Sequence, residues 1–249
     1  MEFVHNPNLP DSDVALIAMS DTYPKLTDAV HKLGIDVIAV KPCSKLSKPV
    51  SSHADMLLHH LGEDQTVIAY GEEDLKNQLQ RYGFRAVTSN ICALNRYPEE
   101  ILLNAARVGN KLFANCSALD KTIKDYCDKQ GVQVIPVKQG YAKCSVAVVD
   151  ESSIITADPS IANAANAAGL DVLGIAPGYV ELKGYDYGFL GGTCGKISKD
   201  ILAFTGSVRL HPDYKRIEAF CNSKKVKILP LTNSTLIDIG GIIPLKTRI

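Results

Sequence analysis

The sequence lacks an excess of charge of either sign. It contains 27 basic and 27 acidic residues among 249, so its formal net charge is zero. It also lacks a long run of basic residues, which is the electrostatic footprint that nucleic-acid-binding proteins need. A nucleic-acid partner is therefore not expected.

Long apolar runs are missing as well. The apolar segments are short and are interrupted by glycine, proline or charged residues, which excludes a membrane-spanning helix of about 20 residues. Residues 1–13 have neither a cationic start nor an apolar stretch, so the pattern of a secretory signal is not found there. We expect no membrane partner.

The cysteines include no C-x-x-C pair. An odd number of dispersed cysteines without an export signal is typical of reduced thiols in a cytoplasmic protein. Most of them are expected to behave as small, buried apolar residues. The seven are Cys43, Cys92, Cys116, Cys127, Cys144, Cys194 and Cys221.

What the chain does contain is enough apolar sequence for a core and a pattern that recurs. Hydrophobic residues make up 46% of the chain and charged residues 22%, as in an ordinary globular protein. A helix with apolar residues at i, i+3/i+4 and i+7 is followed five times by a glycine or by Asn222-Ser223, and then by a Val/Ile-rich strand. A glycine at this place favours a left-handed helix C-cap. The five segments are 25–40, 72–89, 119–137, 159–175 and 211–231.

A two-stranded hairpin precedes each of the last four helices. Each predicted turn contains residues that are common in tight turns. The predicted unit is therefore β-turn-β-α-β. The turns are Gly62-Glu63-Asp64, Gly109-Asn110, Asp150–Ser152 and Lys199-Asp200.

The two ends of the chain complement each other. Residues 13–20 form a strand that leads directly into the first helix, and residues 234–245 form a strand with no helix after it. We predict that these strands pair, which completes the first unit and leaves no open edge. The competing interpretation is an open, doubly wound parallel sheet. It explains the alternation of strands and helices but not the hairpins or the unpartnered terminal strands.

Aligning the first strand of each unit brings pairs of small residues into register. Small residues at one level suit five strands that crowd together around a pseudo-fivefold axis. The pairs are Ala54-Asp55, Ala105-Ala106, Cys144-Ser145, Gly191-Gly192 and Gly240-Gly241.

Over almost its full length, the chain resembles the pentein, or guanidino-group-modifying enzyme, superfamily. The resemblance implies an α/β fold, a pentein-type α/β propeller of five ββαβ repeats, as a single domain over residues 1–249. His53-Ala54-Asp55 resembles the H-x-D of the catalytic members, where His is the acid/base and Asp holds the guanidinium. Gly240-Gly241 resembles the glycine pair that precedes their nucleophilic cysteine, but Ile242–Leu245 follows here without a cysteine.

Two functions are compatible with this resemblance. The first is binding of a small guanidino, ureido or amino compound in the axial channel, with the chain as a Cys/His hydrolase or transferase. The second is a noncatalytic interaction module, as in the ribosome-binding member of the superfamily. No cofactor is expected, and the oligomeric state, including a homo-oligomer, stays open.

Strand alternation predicts which side chains share the channel. It assigns His53, Asp55 and Cys194 to catalysis, with Cys194 and His53 as a thiolate–imidazole pair and Asp55 as an orienting carboxylate or a cation binder. Cys144 is the alternative nucleophile, but it is expected to face the opposite side. The predicted ligand-binding residues are Asn104, Lys143, Ser145, Gly192 and Gly241.

Two further segments contain residue types that are common in functional sites. His59-His60 lies close to His53, but the histidines have no recognised ligand spacing, so no metal site is expected. The Gly-rich loop 178–188 carries Tyr185 and Tyr187. These tyrosines either cover the channel or cover a strand edge.

Overall fold

Periodic apolar side chains and turns that contain glycine divide the chain into short strands and helices. This computed structural model describes residues 1–90 and 96–249, so Cys92 lies outside the described residues. The strands of the described part are β1 (Glu2–Phe3), β2 (Val14–Ser20), β3 (Asp36–Val40), β4 (Leu58–Gly62), β5 (Gln65–Ile68), β6 (Arg85–Thr88), β7 (Ala106–Val108), β8 (Lys111–Ala114), β9 (Gln133–Pro136), β10 (Val146–Asp150), β11 (Ser153–Thr156), β12 (Asp171–Gly174), β13 (Val180–Glu181), β14 (Cys194–Ser198), β15 (Ile201–Phe204), β16 (Lys227–Pro230), β17 (Leu236–Ile237) and β18 (Ile243–Thr247). The helices are α1 (Pro24–Lys32), α2 (Ala54–Leu57), α3 (Glu73–Arg81), α4 (Lys121–Gln130), α5 (Ala142–Ser145), α6 (Pro159–Ala167) and α7 (Tyr214–Ser223).

Five of the sheets formed by the described residues share one order of strands. An antiparallel pair comes first, and a helix then leads to a third strand that is parallel to the second. In β10-β11-β12, for example, Val146 pairs with Thr156 and Ser153 pairs with Asp171. The other four sheets are β18-β2-β3, with β1 added, β4-β5-β6, β7-β8-β9 and β14-β15-β16.

The predicted hairpins and helix ends are present. All four hairpins form at the expected turns. In helix α4, for example, the Asp120 side chain accepts a hydrogen bond from the Thr122 N–H, and Gly131 ends the helix with φ of 67°. The α4 face that carries Ile123 and Cys127 is buried against its sheet. The local signals in the sequence therefore define these elements.

The ends of the chain pair as predicted. Strand β18 lies antiparallel to β2, with Ile243 opposite Ala18, and β1 covers the other edge of β18. The segment 234–245 is not one strand, however. Its first part is β17, which pairs with the short strand β13, and a bend at Gly240-Gly241, both at positive φ, separates it from β18.

The predicted first strands begin later than expected. Ala54-Asp55 and Cys144-Ser145 lie in one-turn helices, α2 and α5, and Gly191-Gly192 lies in a 3₁₀ turn. The strand alternation that placed the candidate residues on shared faces therefore does not apply to them. Side chains of a helical turn point in other directions than those of a strand, and these directions decide the geometry of the functional site.

The described part of the chain contains no helix that is both long enough and apolar enough to cross a membrane.

Candidate functional site

The segment 238–241 joins turns from different sheets. The Asp55 N–H donates to the Gly240 carbonyl at 3.2 Å, and the Ile239 and Gly241 N–H groups donate to the Gly192 carbonyl at 2.9 and 2.8 Å. These backbone contacts hold Asp238 between the α2 turn and the 3₁₀ turn that precedes β14. A carboxylate from the C-terminal segment is thereby placed beside His53.

Glycine is required where these segments meet. A Cβ on Gly240 would overlap His53, and a Cβ on Gly192 would overlap the Asp238 carboxylate. Gly241 lies beside the Lys143 Nζ, which would be 3.3 Å from a Cβ at that position. The close approach that the small residues predicted is present, although it involves turns rather than strands.

The substitution Gly192→Ala is expected to lower the free energy of unfolding by about 3 kcal/mol, because the added methyl group must displace the buried Asp238 carboxylate from its backbone partners. Urea denaturation of the variant and the wild type measures this difference. Gly174→Ala is the matched control, since a Cβ on Gly174 meets nothing within 4 Å. The control should stay within about 0.5 kcal/mol of the wild type. Equal effects of the two substitutions would contradict the close approach at Gly192.

Three buried side chains from separate segments meet at the centre of the site. Ligand atoms of His53, Cys144 and Asp238 all lie within 4.8 Å of one another. The Nδ1 atom of His53 is 3.7 Å from Oδ1 of Asp238, which is longer than a hydrogen bond. The three side chains are 1%, 2% and 1% exposed. A thiol, an imidazole and a carboxylate therefore share one desolvated centre.

Asp238 has hydrogen-bond partners in the chain, whereas the His53 ring has none among the described residues. The Phe189 N–H donates to Asp238 Oδ2 at 2.9 Å, and the Gly240 N–H donates to Oδ1 at 3.0 Å. Both ring nitrogens of His53 are buried without a hydrogen-bond partner. Buried polar groups are normally satisfied, so an unpaired imidazole points to a group that is supplied from outside the chain.

The Cys144 thiol donates a hydrogen bond to Oδ2 of Asp55, with an Sγ–Oδ2 distance of 2.9 Å. Burial, followed by the charges of Asp55 and Asp238, raises the pKa of the thiol well above its usual value. Burial also raises the pKa of the Asp55 carboxyl to about 6, although His53 and Lys143 oppose the shift. The second oxygen of Asp55 has no partner. The thiol is therefore protonated at rest, and a carboxylate is in place to receive its proton.

Asn104 orders the turn that carries Cys144. Its Oδ1 accepts from the Lys143 N–H at 2.8 Å, and its amide nitrogen lies 3.3 Å from the Cys144 Sγ. The Lys143 side chain lines a cavity of about 20 Å³ together with Asp55 and Arg107.

The prediction that Cys144 faces away from His53 and Asp55 is wrong, because Cys144 lies in a helical turn and not in a strand. Cys194 begins β14, and its Sγ lies 4.0 Å from the Gly191 carbonyl oxygen. Burial raises the pKa of the Cys194 thiol to about 12. Of the two candidate thiols, Cys144 is the one in the cluster with His53 and Asp238.

A cavity of about 270 Å³ opens onto this centre. His53, Cys144 and Asp238 lie on its wall together with one further carboxylate, Asp186. Tyr185, which is 50% exposed, lies at the outer side, where its hydroxyl is 3.3 Å from the Ser47 hydroxyl. The remaining lining residues are mostly apolar or aromatic: Val50, Tyr141, Leu182, Tyr187 and Phe189.

A second cavity of about 510 Å³ lies on the other side of Tyr187 and Phe189, which line both cavities. Ser145 belongs to this second cavity, and its buried hydroxyl has no hydrogen-bond partner. The structure therefore separates Ser145 from the cavity that Cys144 lines.

Asp238 was not identified as a site residue from the sequence. A signal was present, because Asp238 is the one acidic residue in the otherwise apolar and polar segment 234–245, and it lies two residues before the predicted glycine pair. Burial of an isolated carboxylate costs free energy unless the group is paired, so an unpaired one in a buried segment indicates a functional role.

Comparison with known proteins identifies a matching family and the fold. A family model described as "Family of unknown function (DUF6873)" matches residues 17–243. No curated protein matches the chain.

Several solved structures are similar over nearly the whole chain. The inosamine-phosphate amidinotransferase StrB1 of Streptomyces griseus has a TM-score of 0.59 and 10% identity, and the match covers 100% of this chain and 97% of that one. DDAH of Pseudomonas aeruginosa, a mutant complexed with citrulline, has a TM-score of 0.57 and 11% identity, with 88% and 92% covered. An agmatine deiminase mutant of C. jejuni with bound substrate has a TM-score of 0.55 and 10% identity, with 99% and 96% covered. These likenesses establish a mixed α/β fold of the pentein kind, as the sequence resemblance predicted.

Proposed function

Since the chain belongs to the family of unknown function DUF6873 and has the fold of guanidino-modifying enzymes, we propose that it binds a small guanidino, ureido or amino compound and acts on it through Cys144. The observation that carries this proposal is the meeting of Cys144, His53 and Asp238 on the wall of one cavity. Similar solved structures hold citrulline or an agmatine deiminase substrate, which supports the ligand class.

We further propose that the five similar sheets surround a pseudo-fivefold axis, as one domain closed by the terminal strands. The shared strand order and the pairing of β18 with β2 support this arrangement. It also accounts for the site, because His53, Cys144 and Asp238 belong to segments that precede three different sheets. Each would then approach the axis from its own direction.

The lining of the cavity favours a cation. Asp238 and Asp186 supply negative charge, and Tyr141, Tyr185 and Phe189 supply aromatic surface. A guanidinium or ammonium group is attracted both by carboxylates and by aromatic faces. The ureido group of a compound such as citrulline would use the same carboxylates as hydrogen-bond acceptors.

In the catalytic step, the Cys144 thiol passes its proton to Asp55, and Sγ forms a bond to the central carbon of the guanidino or ureido group. The positive charge of a bound guanidinium favours the thiolate. His53 donates a proton to the departing amine, so the amine leaves neutral. Water or a second amine then attacks the carbon and gives a proton to His53, while the C–S bond breaks and Asp55 returns its proton to the Cys144 sulfur. The protein is a hydrolase if water attacks and a transferase if an amine attacks.

The noncatalytic interaction module is the second candidate. The observation in its favour is that Ile242–Leu245 stands where the known enzymes have their cysteine. In that case the buried Cys144–Asp55 contact is part of the core, and the protein acts through its surface.

Ligand binding is expected to raise the melting temperature. For a compound present at about 100 times its dissociation constant, the shift should be about 5–10 °C. A thermal-shift screen of arginine, agmatine and citrulline measures it, with a chelator present. Asp238→Asn should abolish the shift, because the variant loses the charge next to the ligand, while Cys127→Ser, which replaces a buried thiol of α4, should keep it. If no compound shifts the wild type, the binding proposal fails and the interaction module is favoured.

A further inference from the structure

We propose that His53, Cys144 and Asp238 also form a binding site for a zinc-like divalent metal ion, which goes beyond the proposed function. The three residues supply one nitrogen, one sulfur and one oxygen donor, and their ligand atoms lie within 4.8 Å of one another. The sequence predicted no metal site, because it offered no ligand spacing within one segment. These donors come from positions 53, 144 and 238, and only the fold brings them together.

The spacing of the donors suits a small ion. Zinc binds sulfur at about 2.3 Å and nitrogen or oxygen at about 2.0–2.2 Å, in tetrahedral geometry. Donors around such an ion are separated by about 3.3–3.8 Å. The 3.7 Å between His53 Nδ1 and Asp238 Oδ1 already lies in that range. The widest pair must close by about 1 Å when the ion binds.

The unpaired imidazole is a second, independent sign of a ligand. His53 is 1% exposed, and both of its ring nitrogens lack a hydrogen-bond partner. Coordination would satisfy one of them. Gly240 packs directly against His53, which limits the movement of the ring and keeps it beside Asp238.

The donor types select the metal. Calcium and magnesium prefer sets of oxygen ligands, whereas a thiolate with an imidazole favours zinc and related transition metals. Three protein ligands leave the fourth position of a tetrahedral ion open, as in catalytic zinc sites. Here that position would face the cavity. Binding releases the Cys144 proton to solvent, and the ion then excludes a guanidino compound from the same three side chains.

Cobalt titration of the chelator-treated, dialysed protein tests the site. The wild type is expected to bind one equivalent of Co²⁺ and to show a near-ultraviolet sulfur-to-cobalt charge-transfer band, which one equivalent of Zn²⁺ removes. Cys144→Ser should lose the band, and Asp238→Asn should weaken cobalt binding by about 10–100-fold. Cys127→Ser should behave as the wild type, because Cys127 lies on α4 outside the cluster.

Two results would overturn the metal site: no charge-transfer band in wild type, or a band that survives in Cys144→Ser. Circular dichroism of each variant shows whether it is folded, and Asp238→Asn provides an independent reading if Cys144→Ser does not fold. The metal titration contains no guanidino compound, and the thermal-shift screen contains a chelator. Failure of either proposal is therefore distinguishable from failure of the other.

Discussion

The substitution Cys144→Ser is expected to reduce turnover of a guanidino or ureido substrate by about 10,000-fold or more, because the hydroxyl group is a far weaker nucleophile than the thiolate in this buried site. The variant should keep the thermal shift with the same compound, since serine is close to cysteine in size and the binding charge of Asp238 is unchanged. Release of ammonia or amine from a compound that gives a thermal shift measures the turnover.

Two further variants make this result specific. Cys127→Ser replaces another buried thiol and should retain full turnover. Cys194→Ser tests the nucleophile that strand alternation predicted. If Cys194→Ser is inactive while Cys144→Ser is active, the assignment of Cys144 is wrong. If both remain active, the cysteines do not act as nucleophiles at this centre.

Stability is expected to fall by about 4 kcal/mol between pH 7.5 and pH 5 through two buried histidines, about 2 kcal/mol from each. His59 and His60 lie on β4, and each donates a ring N–H to a backbone carbonyl group, that of Leu103 at 3.1 Å and that of Glu63 at 3.0 Å. Burial lowers the pKa of both imidazoles from 6.5 to about 4. Urea denaturation across this pH range measures the effect.

The sign follows from proton binding. Between about pH 4 and pH 6.5 the unfolded chain binds protons at both histidines and the native protein does not, so the free energy of unfolding rises with pH and becomes constant above this window. Asp55 acts in the opposite direction, because its carboxyl pKa is raised to about 6. The contribution of the histidines is therefore measured as the difference in the pH dependence of stability between the wild type and a variant without the two histidines.

The comparison protein is the double variant His59→Gln, His60→Gln, in which an amide can still donate to the same carbonyl groups. The contribution of Asp55 is the same in both proteins. Between pH 7.5 and pH 5, the free energy of unfolding of the double variant should therefore fall by about 4 kcal/mol less than that of the wild type. Equal pH dependence of the two proteins would show that the histidines are not buried in the neutral form. Neighbouring charges that act on the imidazoles are Glu63, Arg107 and Lys143.

Much of the fold could be predicted from the sequence because its signals are local. The turn at Gly109-Asn110 and the C-cap at Gly131 act over a few residues, and both occur as expected. The pairing of β18 with β2 was also predictable, since each end of the chain had half of a unit. The division of residues 234–245 into β17 and β18 was not, because the bend at Gly240-Gly241 depends on contact with the α2 turn and Gly192.

The candidate site was predicted only in part. His53, Asp55 and the small residues were identified from their pattern, and the structure brings Asp55 to Cys144. Strand alternation favoured Cys194 over Cys144, because the sequence does not show that the first strand of the unit begins only after a helical turn at Ala142–Ser145. Along a helix, successive side chains differ in direction by about 100°, whereas along a strand they differ by 180°.

By itself, the sequence determined the four hairpins, the helix and strand that follow each of them, and the need for small residues where segments meet, since these depend on local backbone conformation and side-chain volume. The tertiary structure alone decided which thiol lies with His53 and that Asp238 joins them. These residues are separated by about 90 positions in each step along the chain, so no local pattern connects them. Their meeting depends on how turns from different sheets pack, which is a property of the whole fold.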